Sequence, residues 1–209
     1  MKACTMPWHP WLREQLVDSL RSVPPNAPTL CEGWQARHLA AHLVLREHAP
    51  WRLLGGGLDT LADEARDDAA YRDLIDRVSQ PPQAWSPHSW AGDAMNVAEF
   101  YVHSEDVRRG GGVEPAPRDL PPDLVEALRG ALTTFARLRL GRCPVGVTLV
   151  DDEGRRLVVS DREPVVEIHG PVTELVLHVF GRVEAADTEV RGREDAVAQV
   201  AQVLGGPDA

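Results

Sequence analysis

The sequence has little positive charge and almost no lysine. Lys2 is the only lysine, and 22 basic residues stand against 32 acidic ones, which gives a formal net charge of −10. Nucleic acids and anionic membrane surfaces attract proteins through basic patches, and an acidic balance opposes both. We therefore expect neither a nucleic-acid partner nor a membrane partner.

Long apolar runs and paired cysteines are also missing. No stretch approaches the roughly 18 apolar residues of a membrane helix. The first residues, MKACTMPWHPWLREQL, lack the apolar segment and cleavage pattern of a signal peptide. Cys4, Cys31 and Cys143 form no CxxC motif, so neither a disulfide framework nor a cysteine-rich zinc knuckle is indicated. A cytoplasmic protein with free thiols is the expectation.

The remaining composition is that of a folded protein in two parts. Hydrophobic residues make up 43% and charged residues 26% of 209 residues, the balance of an ordinary globular chain. Apolar spacing predicts helices over 11–20, 34–48, 58–78, 95–109 (capped by Asp93) and 123–140, with a proline-rich loop over 79–93. After Gly141 the pattern changes to a hairpin that turns at Glu153 and Gly154, a strand over 164–170, a helix over 173–180, a strand over 189–191 and a helix over 194–204. We expect a helical bundle over 1–141 and a small α/β domain over 142–209.

One histidine lies in a helix that is apolar nearly all round. His42 is embedded in the stretch LAAHLVL, and such a helix is buried. Burial keeps an imidazole neutral, which leaves a nitrogen available as a metal ligand. A core histidine that is hydrogen-bonded to a carbonyl or carboxylate is the alternative, and for His42 alone it is the favoured one.

A second helix carries a polar stripe. Asn96, Glu99, His103 and Asp106 are spaced i, i+3, i+7 and i+10, which places them on one helix face. Glu99 and His103 can converge on one point, and His42 from another helix would complete a three-ligand site with an open position. This set suits Zn²⁺, while Ni²⁺, Fe²⁺ and Mn²⁺ share its ligand types. The alternative is a solvated face with an ordinary Glu–His pair.

Other residues are candidates for substrate contact. His38 and Arg46 lie one turn either side of His42 and can reach the mouth of the site, although surface salt bridging is the favoured use. Arg108 can hold an anionic group, although charge complementarity with the end of its helix also explains it. Asp106 can support a ligand or touch substrate, and Cys31 precedes the His42 helix closely enough to lie near the site.

At these residues the sequence resembles a known family. LCEGWQARHLAAHL (30–43) and MNVAEFYVHSEDVRR (95–109) resemble the mycothiol-dependent maleylpyruvate isomerase-like proteins, most closely the branch described only as metal-binding proteins. VEIHGPVTELVLHVFGR (166–182) resembles the smaller domain of the same family. The resemblance implies a DinB-like four-helix bundle with a metal site, followed by a small C-terminal α/β domain. Many relatives carry a Thr and Asp capping pair where this chain has Gln35 and His38.

The resemblance also implies ligands and a function. The family's ligand positions fall on His42, Glu99 and His103, the residues that the spacing also proposes. It implies a divalent metal ion with mycothiol as thiol cosubstrate, and an isomerase or S-transferase reaction on a small electrophile. A non-catalytic metal- or ligand-binding module is the alternative, and so is a polar stripe that only stabilises helix packing. The oligomeric state is left as monomer or homodimer.

Overall fold

The computed structural model describes residues 7–82, 93–112 and 118–205. The chain divides into two compact units, Met1–Arg118 and Asp119–Ala209. Across the described ranges, no helix combines the length and the apolar character that crossing a membrane requires. The architecture is helical with one small sheet, which confirms the predicted fold class.

The first unit is built from helices that pack around an apolar core. In chain order they are α1 (His9–Arg21), α2 (Ala36–His48), a 3₁₀ helix (Pro50–Gly55), α3 (Gly57–Glu64), α4 (Asp68–Val78) and α5 (Asp93–Arg109). Helix α1 packs against α4 and α5, and α2 packs against α3 and α4. The buried leucines of α1 and α2 are less than 2% exposed and form the centre of this unit.

The region predicted as one helix over 58–78 is two helices, so that prediction was wrong. Asp67 has an extended backbone between α3 and α4, and its Oδ1 accepts hydrogen bonds from the backbone N–H groups of Ala69 and Ala70 at 3.0 and 2.9 Å. A carboxylate that satisfies the first N–H groups starts a new helix. Further along, α5 begins at Asp93 itself, and most of the loop predicted over 79–93 lies outside the described residues.

The segment before α2 is held against the end of α5. Gly110 follows α5, and a Cβ atom there would stand only 2.2 Å from the carbonyl oxygen of Pro28. The N–H of Leu30 donates to the carbonyl oxygen of Asp106 at 3.1 Å. These backbone contacts fix the position of Cys31 beside α5, although Cys31 and α5 are far apart in sequence.

The described residues of the second unit form a small sheet and three α-helices. Its elements are α6 (Pro122–Leu140), β1 (Gly146–Val150), β2 (Arg156–Ser160), β3 (Val165–His169), α7 (Val172–Val179), a 3₁₀ turn (Val183–Ala185), β4 (Glu189–Arg191) and α8 (Glu194–Leu204). In the described residues the sheet has the order β2-β1-β3-β4. Strands β1 and β2 form the predicted antiparallel hairpin, with Gly154 at φ +78° in its turn. Strand β3 pairs parallel with β1 and antiparallel with β4.

Helix α6 confirms the helix predicted over 123–140. The boundary expected near residue 141 groups this helix with the bundle, whereas it packs against α7, α8 and β2 within the second unit. Its buried side is an apolar stripe that includes Leu124, Leu128 and Leu140. An amphipathic pattern predicts that a helix packs on something, but not which element it packs on.

Candidate metal centre

Helix α2 presents His42 from an otherwise buried surface. Its neighbours Ala41 and Leu43 are fully buried, while the side chain of His42 keeps 22% of its surface exposed. The ring centroids of His42 and Trp34 lie 5.2 Å apart with the ring planes tilted by 49°, so the indole packs beside the imidazole. Burial lowers the pKa of His42, above all through desolvation. His42 is therefore a neutral nitrogen donor near pH 7.

Helix α5 brings two further donors to the same point. Oε1 of Glu99 lies 3.6 Å from Nε2 of His42 and 3.6 Å from Nε2 of His103. The side chains of Glu99 and His103 are 21% and 13% exposed. The stripe on α5 is therefore not a solvated helix face. The structure brings together the three residues proposed as ligands, with their donor atoms all within 4.8 Å of one another.

These separations fit a small divalent ion. Tetrahedral zinc holds nitrogen and carboxylate-oxygen ligands at about 2.0–2.2 Å, which places neighbouring ligand atoms about 3.3 Å from one another. The two 3.6 Å distances at Glu99 exceed this by only a few tenths of an ångström. Two imidazoles and one carboxylate are also a common ligand set of a catalytic metal that keeps one position for a ligand. The residues present fit the metal that the sequence predicts.

A buried carboxylate orients one of the imidazoles. Oδ2 of Asp106 lies 2.9 Å from Nδ1 of His103, and Asp106 is fully buried. With the Nδ1–H donating to this carboxylate, Nε2 is the ring nitrogen that points toward His42 and Glu99. The thiol of Cys31 donates to the same Oδ2 at 3.2 Å. Asp106 thus supports a proposed ligand from behind rather than facing the opening.

The site is strongly polarised without a metal. Burial alone would raise the pKa of Glu99, but contacts with His103 and His42 lower it well below its usual range. Burial alone would lower the pKa of His103, but Asp106, with Cys31 and Glu99, raises it well above its usual value. The two carboxylates favour a proton on His103, and a metal ion that binds Nε2 must compete with that proton.

A second donor set overlaps the first. Cys31, His103 and Asp106 also have donor atoms within 4.8 Å of one another. This set is already joined by hydrogen bonds at 2.9 and 3.2 Å, and Asp106 is shielded from solvent. In the set with His42 and Glu99, the carboxylate oxygen lies 3.6 Å from each imidazole nitrogen, and every member keeps some exposure. The exposed set is better suited to a metal ion that also binds a ligand.

Arg46 belongs to the centre and not to the surface. Its side chain is only 5% exposed, so the surface salt bridging favoured from the sequence was wrong. Nη1 lies 3.0 Å from Oε1 of Glu99, and Nη2 donates to Oδ1 of Asn96 at 3.2 Å. The sequence signal that could have placed Arg46 at the centre is its position four residues after His42 on the same helix, which puts both side chains on one face. Trp34 was not predicted from the sequence to be a residue of the site.

Two other candidates are engaged elsewhere. Nδ1 of His38 accepts a hydrogen bond from the backbone N–H of Gln35 at 3.1 Å. His38 therefore caps the first turn of α2. Arg108 pairs with buried Glu105 at 2.5 Å, and Arg109 pairs with the other oxygen of that carboxylate at 2.7 Å. These contacts are structural ones at the end of α5.

The fold and the convergent donors define a class: a DinB-like helical bundle with a candidate His/Glu/His metal centre and a small α/β domain. Two solved structures share this architecture. One is the mycothiol-dependent maleylpyruvate isomerase, with 17% identity, a TM-score of 0.57 and coverage of 88% of this chain and 90% of that chain. The other is a histidine-to-alanine mutant of a mycothiol-dependent maleylpyruvate isomerase, with 16% identity, a TM-score of 0.61 and the same coverage. Neither a protein-family profile nor a curated protein sequence matches this chain. At this identity the likeness establishes the fold, which is the one that the resemblance implied.

Proposed function

We propose that this chain binds one divalent metal ion through His42, Glu99 and His103 and acts as a thiol-dependent enzyme. The reaction is isomerisation of a small electrophile or transfer of a thiol to it, with mycothiol as the thiol. The observation that carries the proposal is the convergence of three partly exposed donors from two helices on one point. It is supported by a fold shared with a mycothiol-dependent isomerase.

The donor set determines the chemistry that a metal would supply. A bound divalent ion lowers the pKa of a thiol and holds it as a reactive thiolate at neutral pH. His42 contributes a neutral nitrogen because its surroundings are desolvated. Asp106 fixes the ring of His103 through Nδ1. Zn²⁺ suits two nitrogens and one carboxylate oxygen, and Ni²⁺, Fe²⁺ and Mn²⁺ accept the same ligand types.

The walls of the centre are suited to a small substrate. Trp34 offers an aromatic ring beside His42, and Asn96 accepts a hydrogen bond from Arg46, which itself lies 3.0 Å from Glu99. An aromatic wall with a few convergent polar groups is typical of small-molecule sites. A cytoplasmic location, where low-molecular-weight thiols are kept reduced, belongs to the same proposal.

The proposal is tested by thiol-dependent conversion of small electrophiles. Metal-loaded protein is incubated with mycothiol and a panel of small electrophiles, and both the electrophile with its products and the remaining thiol are followed with time, because an isomerisation returns the thiol whereas a transfer consumes it. We expect turnover in the wild type, loss of turnover in Glu99→Ala and after treatment with a chelator, and full turnover in Glu64→Ala, which removes an exposed glutamate of α3. Saturable binding of mycothiol without turnover of any electrophile would instead support a non-catalytic binding module.

A further inference from the structure

Arg46 is a buried cation whose pairing is incomplete. Its guanidinium donates to Asn96 through Nη2 and lies 6.0 Å from the centre of the Phe100 ring. Nη1 is 3.0 Å from Oε1 of Glu99 but is not aligned with it as a hydrogen bond, and within the described residues this buried nitrogen has no hydrogen-bond acceptor. A buried donor without an acceptor costs free energy, so a ligand that accepts from it is favoured.

Arg46 and a metal ion would share one oxygen. Oε1 of Glu99 faces Nε2 of His42 and Nε2 of His103, and the same oxygen is the one near Nη1 of Arg46. Two cations beside one carboxylate oxygen repel each other strongly where water is scarce. Arg46 therefore neutralises Glu99 in the metal-free protein and competes with a metal ion for it.

The charges of a loaded centre are unbalanced. Imidazoles that bind a metal are neutral, so the negative charges are those of Glu99 and Asp106. A divalent ion and Arg46 together carry three positive charges against these two. A positive excess beside a donor that lacks an acceptor favours an anionic ligand over a neutral one.

We infer that Arg46 is the anion-binding residue of this centre, pairing with Glu99 when the metal is absent and with an anion at the metal when it is present. The inference rests on the proposed metal site and adds to it the charge of the ligand that the site accepts. Arg46 then has two opposite effects, which a purely structural residue would not have. Arg46 weakens metal binding and strengthens anion binding.

The test uses cobalt(II) as a visible probe of the proposed site, with azide as the anionic ligand and imidazole as the neutral one. In Arg46→Gln, which can still hydrogen-bond Asn96, we expect cobalt affinity to rise by about tenfold. We expect azide affinity to fall by about tenfold or more, the usual worth of a hydrogen bond to a charged group. Imidazole affinity should stay unchanged.

Two controls separate charge from packing. Arg46→Lys keeps the charge and should retain most of the azide affinity, and Arg52→Met removes an exposed arginine from the neighbouring 3₁₀ helix and should behave like the wild type. If Arg46→Gln does not fold, Arg46→Met places an unbranched apolar chain over Phe100 and serves as the neutral variant. Melting curves verify the fold of each variant.

The outcomes distinguish the inference from the proposed function. Unchanged azide affinity in a folded neutral variant that still binds cobalt overturns the role of Arg46 and leaves the metal site standing. A parallel fall in cobalt, azide and imidazole binding also overturns it, because that result describes a structural residue. If the wild type binds no cobalt, the proposed function itself is wrong, and this inference is wrong with it.

Discussion

Asp106 offers the sharpest perturbation of the candidate centre that leaves the three proposed ligands in place. Asp106→Asn keeps the size of the side chain and removes its charge. The carboxylate lies 2.9 Å from Nδ1 of His103 and is fully buried. A hydrogen bond to a charged group is worth about 1.5–3 kcal/mol, which corresponds to about a 10- to 100-fold loss of zinc affinity.

The zinc affinity that Asp106→Asn loses should depend on pH in a defined direction. Asp106, together with Cys31 and Glu99, raises the pKa of His103, and zinc must displace that proton. Below this pKa the zinc affinity of the wild type falls about tenfold per pH unit. In the variant the proton on His103 is held less tightly, so it competes less with zinc. The difference between the two proteins should therefore be largest at alkaline pH and shrink as the pH falls.

The measurement is a zinc competition titration against a chromophoric chelator from about pH 6 to about pH 9, a range that covers histidine titration. Asp73→Asn, which changes an exposed aspartate of α4, is the matched control and should titrate like the wild type. Equal affinities for the wild type and a folded Asp106→Asn at every pH would show that Asp106 does not orient a metal ligand.

Two predictions concern stability. Arg13→Ala should destabilise the first unit by about 3–5 kcal/mol in urea unfolding, because Glu47, 2% exposed, loses a two-point ion pair at 2.6 and 2.7 Å. The double variant Arg13→Met with Glu47→Leu should recover most of that loss, and no recovery would contradict a charge-based cause. In the second unit, burial lowers the pKa of His178 from 6.5 to about 4. The unfolded chain then binds the proton first, so stability should fall by about 3 kcal/mol as the pH falls from about 6.5 to about 4. His178→Gln should flatten this dependence, and an unchanged slope would assign it to other groups.

The elements that carry the centre could be predicted from local patterns. A stretch that is apolar nearly all round predicted a buried helix around His42, and the spacing of Glu99 and His103 placed them on one face of a second helix. The hairpin and the final helix of the second unit were also predicted at nearly their observed bounds. In each case the signal lies within a single helix or hairpin.

What could not be predicted depends on partners that are distant in sequence. Arg46 and Glu47 end a buried helix, and their burial is possible only because each meets an opposite charge from another segment. Arg46 meets Glu99, and Glu47 meets Arg13, which lies 34 residues away. The sequence of α2 alone contains neither partner, so a surface position was the reasonable expectation for Arg46.

A helix cap can also be formed by an unexpected type of side chain. His38 caps α2 through a ring nitrogen, at a capping-box position where Glu or Gln is the usual residue. A histidine nitrogen and a carboxylate oxygen can both accept a backbone N–H, so the cap is present although the usual side chain is not. The elements that α6 packs against could not be predicted either, because its apolar stripe fits any hydrophobic partner.

Metal content of the purified protein tests the proposed centre most directly. The wild type, His42→Ala, His103→Ala and the control His9→Ala, which lies at the start of α1, are prepared alike and measured by elemental analysis. We predict close to one divalent ion per chain in the wild type and the control, and a nearly complete loss in the other two variants. Equal metal content in all four proteins would contradict a metal site at His42, Glu99 and His103.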